Sequence, residues 1–386
     1  MRIAQICYKY PPDYSGYGKQ LQTINREIQG REEAVKIKVL TRNFVLFNEE
    51  KNEIETIKRL GPKIETSKTT AFNLYLFSFL SFLWLLINAN SYDVIHCIKA
   101  GPEAALAVLA GKLCKKPVLI KITQDELQEE RKTSLKKIRH NLLNKADGYI
   151  AISKDISVEL LERGIEKNKI FNIPNGVDEK RFLNVSHDEK MGRKKQAGIP
   201  CTSKVVLFSG SISQRKGVFD LLEAIEKVDT SISVLYILCG PLYEKEDYFY
   251  KKISELNKNV DKRKVVYKGN VEKIEDYMKR ADITVLPSYS EGLPNVLLEA
   301  ALCGNQLVAS NISGNNDIVH NGFNGYLFPL GDQASLASQI KKCLENDLIK
   351  NNIAEEVYQK GLEKYKASKV AADYLTLYDR LFHSRI

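Results

Sequence analysis

Ile283–Gly304 reads ITVLPSYSEGLPNVLLEAALCG, and the fold is decided there. A short apolar run ends at Pro287, turn-forming residues continue through Gly292 and Pro294, and leucine and alanine at helical spacing lead to Gly304. The pattern predicts strand, turn and helix in succession, one step of a parallel βα fold. Pro294 suits the first helical position, where its fixed φ helps and its missing N–H costs nothing. Glu291 then falls in the turn and Glu299 inside the helix. Amides at Asn295, Val296 and nearby positions form an anion site, to which helix-end electrostatics contribute roughly 0.3–1 kcal/mol. A phosphate can dock there while the two carboxylates accept hydrogen bonds from sugar and ribose hydroxyls. Two glutamates eight apart also arise on helices that merely solvate them, so the pair gains meaning only from the strand and turn around it.

Working outward, similar units recur. Val205–Gly217 (VVLFSGSISQRKG) is a strand, a small-residue turn and the basic pair Arg215 and Lys216 before a helix over 218–228. Two cations beside a helix start would neutralise a diphosphate leaving group, although an exposed Arg-Lys pair is also common as a solvated surface feature. The segment lacks GxxxxGK[ST] and is not a P-loop. Further strands are expected at Ser233–Cys239, Val265–Tyr267, Gln306–Ala309 and Tyr326–Phe328. An earlier series is expected at Ile3–Cys7, Val35–Leu40, Val94–Cys97, Val118–Ile122 and Gly148–Ile152. Two such series in 386 residues imply two Rossmann-type domains, since single cores seldom exceed about 250 residues. The polar stretch Asn184–Pro200 places the connection in or just before it. In the first series, Tyr10–Lys19 (YPPDYSGYGK) joins strand to helix, and Gly16 there lets a backbone approach a ligand.

Composition narrows the class. The 44% hydrophobic and 27% charged residues, without low-complexity tracts, exclude disordered and fibrous readings. Seven scattered cysteines without a CxxC pair suggest a reducing compartment and no zinc site. The start MRIAQICYKY runs straight into a strand pattern without an export signal, so a cytoplasmic location is expected. Residues 1–150 hold 24 Lys and Arg against 16 Asp and Glu, whereas the rest holds 34 against 32. Such asymmetry fits an anionic partner, a phospholipid face, a lipid pyrophosphate or a nucleic acid, or else a surface that only keeps the chain soluble. Ala71–Ala89 (AFNLYLFSFLSFLWLLINA) approaches the roughly 20 residues of a membrane span. Asn73, Ser78, Ser81 and Asn88 interrupt it, leaving a buried helix, a helix at a membrane surface and a span as the readings. The last thirty residues carry apolar positions, among them Val357, Leu362, Tyr365, Val370, Tyr378 and Leu381, at helical spacing, and this tail needs a packing partner.

Taken together the motifs resemble family 4 of the retaining glycosyltransferases. They occur in family order: YPP…SGYG at Tyr10–Gly18, DVIH at Asp93–His96, AISK at Ala151–Lys154 and IPNGVD at Ile173–Asp178, then SQRKG at Ser213–Gly217, YKGNV at Tyr267–Val271, Ala281–Ala300 and NGFNGYLFPLGD at Asn321–Asp332. The resemblance implies the GT-B fold, two facing Rossmann-like domains with parallel sheets and a C-terminal helix crossing back to the first. The domains would be 1–183 with 366–386, and 184–365. It further implies a nucleotide-diphosphate sugar as donor and a saccharide or lipid-linked acceptor, in cell-surface polysaccharide or glycolipid synthesis. No cofactor, metal or nucleic acid would be involved. Glu299 would hold the donor ribose and Glu291 the transferred sugar, with the Gly292, Leu293, Asn295 and Val296 turn also touching donor. Arg215 and Lys216 would bind the diphosphate, Gly16 would close over it, and Val271 lies where backbone atoms meet the base.

The chain departs from the family at several of these positions. Ser211, not arginine, follows Gly210, leaving Arg215 and Lys216 as the cations; Ser15 replaces the first glycine of the loop; and Asp317 stands where glutamate is usual. Where many members carry a histidine after Val118–Ile122, this chain has Thr123, Gln124 and Asp125, which with His96 are the acceptor-side candidates. Two other readings of the same fold are a nucleotide-sugar epimerase and a noncatalytic nucleotide-sugar-binding subunit. The five histidines give no acid/base cluster of the kind an epimerase needs. The basic first half and the Ala71–Ala89 segment lead to the expectation of peripheral contact with an anionic membrane surface at its inner face.

Overall fold

The computed structural model describes residues 1–386 except 14, 44–48, 63–69, 124–135, 259–261, 347–360 and 384–386. The chain divides into two compact units, Met1–Gly176 with Lys364–Ile386, and Val177–Glu363.

Among the described residues the first unit is built on eight strands: β1 (Arg2–Ile6), β2 (Lys36–Arg42), β3 (Glu49–Lys51), β4 (Thr56–Leu60), β5 (Val94–Cys97), β6 (Val118–Ile122), β7 (Gly148–Ala151) and β8 (Ile170–Asn172). Their order is β3-β4-β2-β1-β5-β6-β7-β8, and β3 pairs antiparallel with β4. The sequence reading missed β3, β4 and β8. In β4 the sequence TIKRL hides its pattern behind charge: Arg59 is only 2% exposed, donating to Glu50 of β3 and to the Pro11 carbonyl. Strand β8 is three residues long, too short for any periodicity.

Three helices of this unit matter most: α1 (Gly16–Arg31), α2 (Thr70–Ile87) and α3 (Pro102–Cys114). The apolar stretch resolves into α2, which buries Phe77, Ser78, Ser81 and Leu85 but exposes Phe72, Tyr75, Phe79 and Ile87. Among the described residues no helix is long and apolar enough to cross a membrane.

The tail finds its partner in the first unit as well. The Ala367–His383 helix buries Val370, Ala371, Tyr374, Leu377, Tyr378 and Leu381 in the cluster that holds Leu21, Ile24 and Ile28 of α1. Val357, from the same apolar pattern, lies outside the described residues. Beneath the helix runs a buried polar chain. His96 Nδ1 lies 2.7 Å from the Tyr378 hydroxyl, Gln5 and Asn25 exchange two amide bonds, and Asn25 and Tyr10 both donate to Glu55. Buried hydrogen-bond chains of this kind fix one packing, because breaking any member strands its neighbours in a dry interior.

Among the described residues the second unit holds six parallel strands, β9 (Lys204–Ser209), β10 (Val234–Cys239), β11 (Arg263–Tyr267), β12 (Ile283–Leu286), β13 (Gln306–Ser310) and β14 (Gly325–Phe328). All were expected to within two residues. Their order, β11-β10-β9-β12-β13-β14, is the Rossmann 3-2-1-4-5-6. It reverses between β9 and β12, opening a crevice beyond the carboxyl ends of those two strands.

The division at Gly176–Val177 falls ahead of the 183/184 boundary expected from sequence. The intervening residues go with the second unit, where Val177 and Phe182 are buried and Arg181 reaches Glu275 through two hydrogen bonds of 3.1 and 2.8 Å. The polar stretch beyond is an ordered helix, His187–Gln196. Lys194 anchors it, 1% exposed and bonded to Asp282 at 2.7 Å and to the Ser203 carbonyl at 3.1 Å.

Candidate active site

Beyond β12 the chain makes its turn and enters the Asn295–Leu302 helix. Pro294 is the cap (φ −75°, ψ 113°), one position before the helical site assigned from sequence. The Leu297 and Leu298 amides return to its carbonyl, so the amides of Asn295 and Val296 lead the helix. Behind the turn, the Ser310 hydroxyl donates to the Ser288 carbonyl at 2.5 Å, and the Asn315 amide holds Ser310 from the other side. A Cβ at Gly314 would stand 2.5 Å from the Glu291 carbonyl oxygen and 2.7 Å from that of Gly292. Only glycine lets this backbone press so closely against the turn. Gly314 escaped the sequence reading because its demand comes from a segment more than twenty residues away.

The β9 side arrives as a tight 3-10 turn, Gln214–Lys216, ended by Gly217 at φ 67°. A Cβ on Gly217 would lie 1.9 Å from the Pro287 carbonyl oxygen, so this turn rests directly on the end of β12. Tyr289 donates its amide to the Arg215 carbonyl at 2.8 Å, and the Arg215 guanidinium returns a bond to the Ser290 carbonyl at 3.0 Å. Zipped together in this way, the two loops bring Lys216 Nζ to 2.5 Å from Glu291 Oε1. Both side chains are largely shielded, at 16% and 10% exposure. Sequence alone gave these residues to different parts of a ligand; the fold makes them direct partners. Ser211 stands at the same strand end, its hydroxyl 3.2 Å from that of Ser213.

Glu299 is half-buried and within electrostatic reach of Arg181. The Arg181 guanidinium is pushed up from its ordinary value, chiefly by its hydrogen bonds to Glu275 and further by the charges of Asp178 and Glu299. Burial pulls the Glu275 carboxyl up, but the Arg181 bonds outweigh it and hold Glu275 below its usual range. Arg181 and Glu275 are 94 residues apart, and no local motif marks either. Val271 is half-buried in the loop after β11. Ser211, Arg215, Lys216, Glu291, Gly292, Leu293, Asn295 and Val296 thus follow the two strands that flank the order reversal.

Acceptor-side candidates from sequence fare differently. His96 is fully buried, packed on Tyr374 and Tyr378, and its enclosed Nε2 has no hydrogen-bond partner among the described residues. Burial, helped by the charge of Lys121, pulls its pKa down to about 3. It is a neutral packing residue under the terminal helix and presents no face to a ligand. Thr123 is half-buried just after β6, while Gln124 and Asp125 lie outside the described residues. Gly16 opens α1, and a Cβ there would meet nothing within 4 Å among the described residues. The steric need for glycine in that loop falls on Gly18, where a Cβ would sit 2.3 Å from the Lys9 carbonyl oxygen.

Comparison with known proteins bears on this arrangement. The model of Glycosyl transferases group 1 matches residues 191–360, and that of Glycosyltransferase Family 4 matches residues 32–181. The N-acetyl-alpha-D-glucosaminyl L-malate synthase of Bacillus anthracis is 24% identical over 293 residues, covering 75% of each chain. An Escherichia coli UDP-Gal:alpha-D-GlcNAc-diphosphoundecaprenol alpha-1,3-galactosyltransferase is 24% identical, covering 69% of this chain and 70% of its own. Among solved structures, Anabaena HepE in complex with UDP and glucose superposes with TM-score 0.76 at 20% identity, over 98% of this chain and 100% of its own. The sucrose-phosphate synthase of Thermosynechococcus elongatus superposes with TM-score 0.80 at 19% identity, over 99% of both chains. These likenesses establish the GT-B architecture.

Proposed function

Because the chain belongs to glycosyltransferase family 4 and is a sugar-transferring enzyme, we propose that it moves a sugar, with retention, from a nucleotide diphosphate to a lipid-linked saccharide. The single observation that carries the donor side is the pairing of Lys216 with Glu291 at the strand-order reversal, a cation and a carboxylate 2.5 Å apart beside the head of a helix. The diphosphate takes the cations Arg215 and Lys216 and the amides of Asn295 and Val296. Glu291 then accepts from sugar hydroxyls and Glu299 from the ribose. In transfer, the bond from the anomeric carbon to the diphosphate oxygen breaks and its electron pair leaves with the diphosphate. The acceptor oxygen bonds to that carbon on the same face, and its proton passes to a diphosphate oxygen. UDP-sugars lead the donor list because HepE was solved with UDP, and a lipid-diphosphate acceptor leads because the E. coli relative's name specifies one. Thermal-shift screening of nucleotide sugars, then intact-mass analysis on diphosphoundecaprenol-linked sugars, tests both. A product on L-malate but not on lipid would move the acceptor to the type named for the B. anthracis relative.

The same reading has the first unit rest on an anionic membrane. Support comes from α2, whose Phe72, Tyr75 and Phe79 lie exposed at helical spacing, and from exposed Leu113, Ile138 and Lys137 on neighbouring helices. Of the basic residues Arg131, Lys132, Lys136, Lys137 and Arg139 that motivate the expectation, Arg131 and Lys132 lie outside the described residues. Each basic side chain near an anionic leaflet contributes about 1 kcal/mol, and salt screens it. Flotation with anionic liposomes at low and high salt, with Phe72, Tyr75 and Phe79 changed to serine in parallel, decides the point.

A further inference from the structure

Beside the Gln214–Lys216 turn, on the second unit, lies an open crevice of ≈ 440 Å³ with no part in the donor chemistry above. Phe219, Asp220 and Glu223 of the Val218–Lys227 helix line it together with Gln214, Lys245, Tyr248 and Gln333.

Two aromatic rings line it, Phe219 beneath the Lys245 ammonium and the more open Tyr248. Tyr248 is 39% exposed and packs edge-on to Phe219 with ring centres 5.7 Å apart; Tyr289 at 38% and Tyr243 at 65% stand on adjoining loops. The Tyr248 and Tyr289 rings are held rather than loose, since Tyr248 donates its hydroxyl to Glu223 at 2.5 Å and Tyr289 to Asp220 at 2.8 Å. Gln333 binds the other Asp220 oxygen, and Lys252 holds Glu223. Burial raises the Glu223 carboxyl, but the Tyr248 and Lys252 bonds outweigh it, so Glu223 stays ionised and accepting. A carboxylate offers about four lone-pair sites, so both acids keep capacity to accept from a ligand in a fixed direction.

Fixed ring faces with oriented carboxylates and amides match the alternation of C–H faces and hydroxyls on a sugar. We propose that this crevice is a second binding site, for a neutral saccharide chain. Gln214 directly precedes Arg215, and Tyr289, bonded to Asp220 of the crevice, lies two residues before Glu291, so the crevice adjoins the loops that carry the donor residues. The choice of a saccharide occupant rests on the sugar-transfer reading, whereas binding is measured apart from turnover.

The full chain, fluorescently labelled, is applied to an array of neutral oligosaccharides of glucose, galactose, mannose, rhamnose and N-acetylhexosamines. The strongest binder is then titrated calorimetrically into wild type, Tyr248→Ala, Glu223→Gln and Glu299→Gln, with UDP titrated in parallel. Tyr248→Ala and Glu223→Gln are expected to weaken saccharide binding about tenfold or more and leave UDP affinity within about twofold, with Glu299→Gln showing the reverse. No neutral oligosaccharide bound by wild type, or binding that survives both crevice variants, overturns the proposal. Saccharide binding with this pattern in a protein that neither binds UDP nor turns over would uphold the crevice while sinking the donor assignment.

Discussion

Replacing Lys216 by alanine tests the donor site in two currencies at once, stability and rate. In the resting chain its ammonium is 2.5 Å from Glu291, with both side chains at least 84% shielded (16% and 10% exposed). A hydrogen bond to a charged group nets about 1.5–3 kcal/mol, and its loss leaves a shielded carboxylate without that cation. Lys216→Ala should therefore cost about 2 kcal/mol of stability, and Glu291→Gln a similar amount. The double variant should cost less than the sum by about 1–2 kcal/mol, because the second change removes the charge that the first had stranded. Activity behaves differently. Both groups are assigned to the donor, so each single variant should lose at least about tenfold in kcat/KM, equivalent to about 1.4 kcal/mol of barrier, and the double variant should recover none of it. Urea denaturation read by far-UV circular dichroism gives the stability cycle, and initial rates with the donor found by screening give the other. Additive stability costs would refute the contact. Wild-type kcat/KM in folded Lys216→Ala would refute its role.

Three further outcomes follow from the geometry. Glu299→Gln should fold with an unchanged circular dichroism spectrum yet lose at least about tenfold in turnover; full activity would remove Glu299 from the ribose site. Gly217→Ala forces a left-handed φ of 67° on a residue whose Cβ would meet the Pro287 oxygen at 1.9 Å. The φ alone costs about 1–2 kcal/mol, and the turn must shift, so a fall in thermal midpoint with a rise in donor KM is expected, and neither changing would contradict the close approach. His96 has its pKa pulled down to about 3, so between that value and the unfolded value near 6.5 the unfolded chain binds the extra proton. Stability from this group is complete above pH 6.5 and falls with acidification by up to about 1.4 kcal/mol per pH unit; urea midpoints across pH 4–7 should be shallower in His96→Gln, and parallel curves would contradict a buried neutral ring.

The two-domain α/β architecture was legible because parallel strands buried on both faces write themselves as apolar runs, as at Val118–Ile122 and Ile283–Leu286. Strand β4 was not, since its one inward arginine is neutralised by a partner nine residues away, and no pattern within TIKRL announces it. At the site, the turn and basic pair were readable from local chemistry. Their mutual contact was not, because 75 residues separate Lys216 from Glu291 and only the strand order brings β9 beside β12. His96 misled for a related reason: a histidine ending a strand looks like a ligand until a helix 282 residues further on is seen to cover it.

That covering helix also sets a timetable. The first unit draws its terminal helix from residues 367–383, after all of Val177–Glu363 has been synthesised. At roughly 5–20 residues per second, those intervening residues take about 10–40 seconds. Throughout that interval Ile24, Ile28, His96 and the Gln5–Asn25 pair wait under an apolar face that Tyr374 and Tyr378 have yet to close. The second unit, made from one uninterrupted stretch, carries no such delay. A nascent chain stalled between residues 180 and 360 should therefore expose sticky surface on its earlier half, making that half the client of ribosome-associated chaperones and the place where premature termination turns into aggregation.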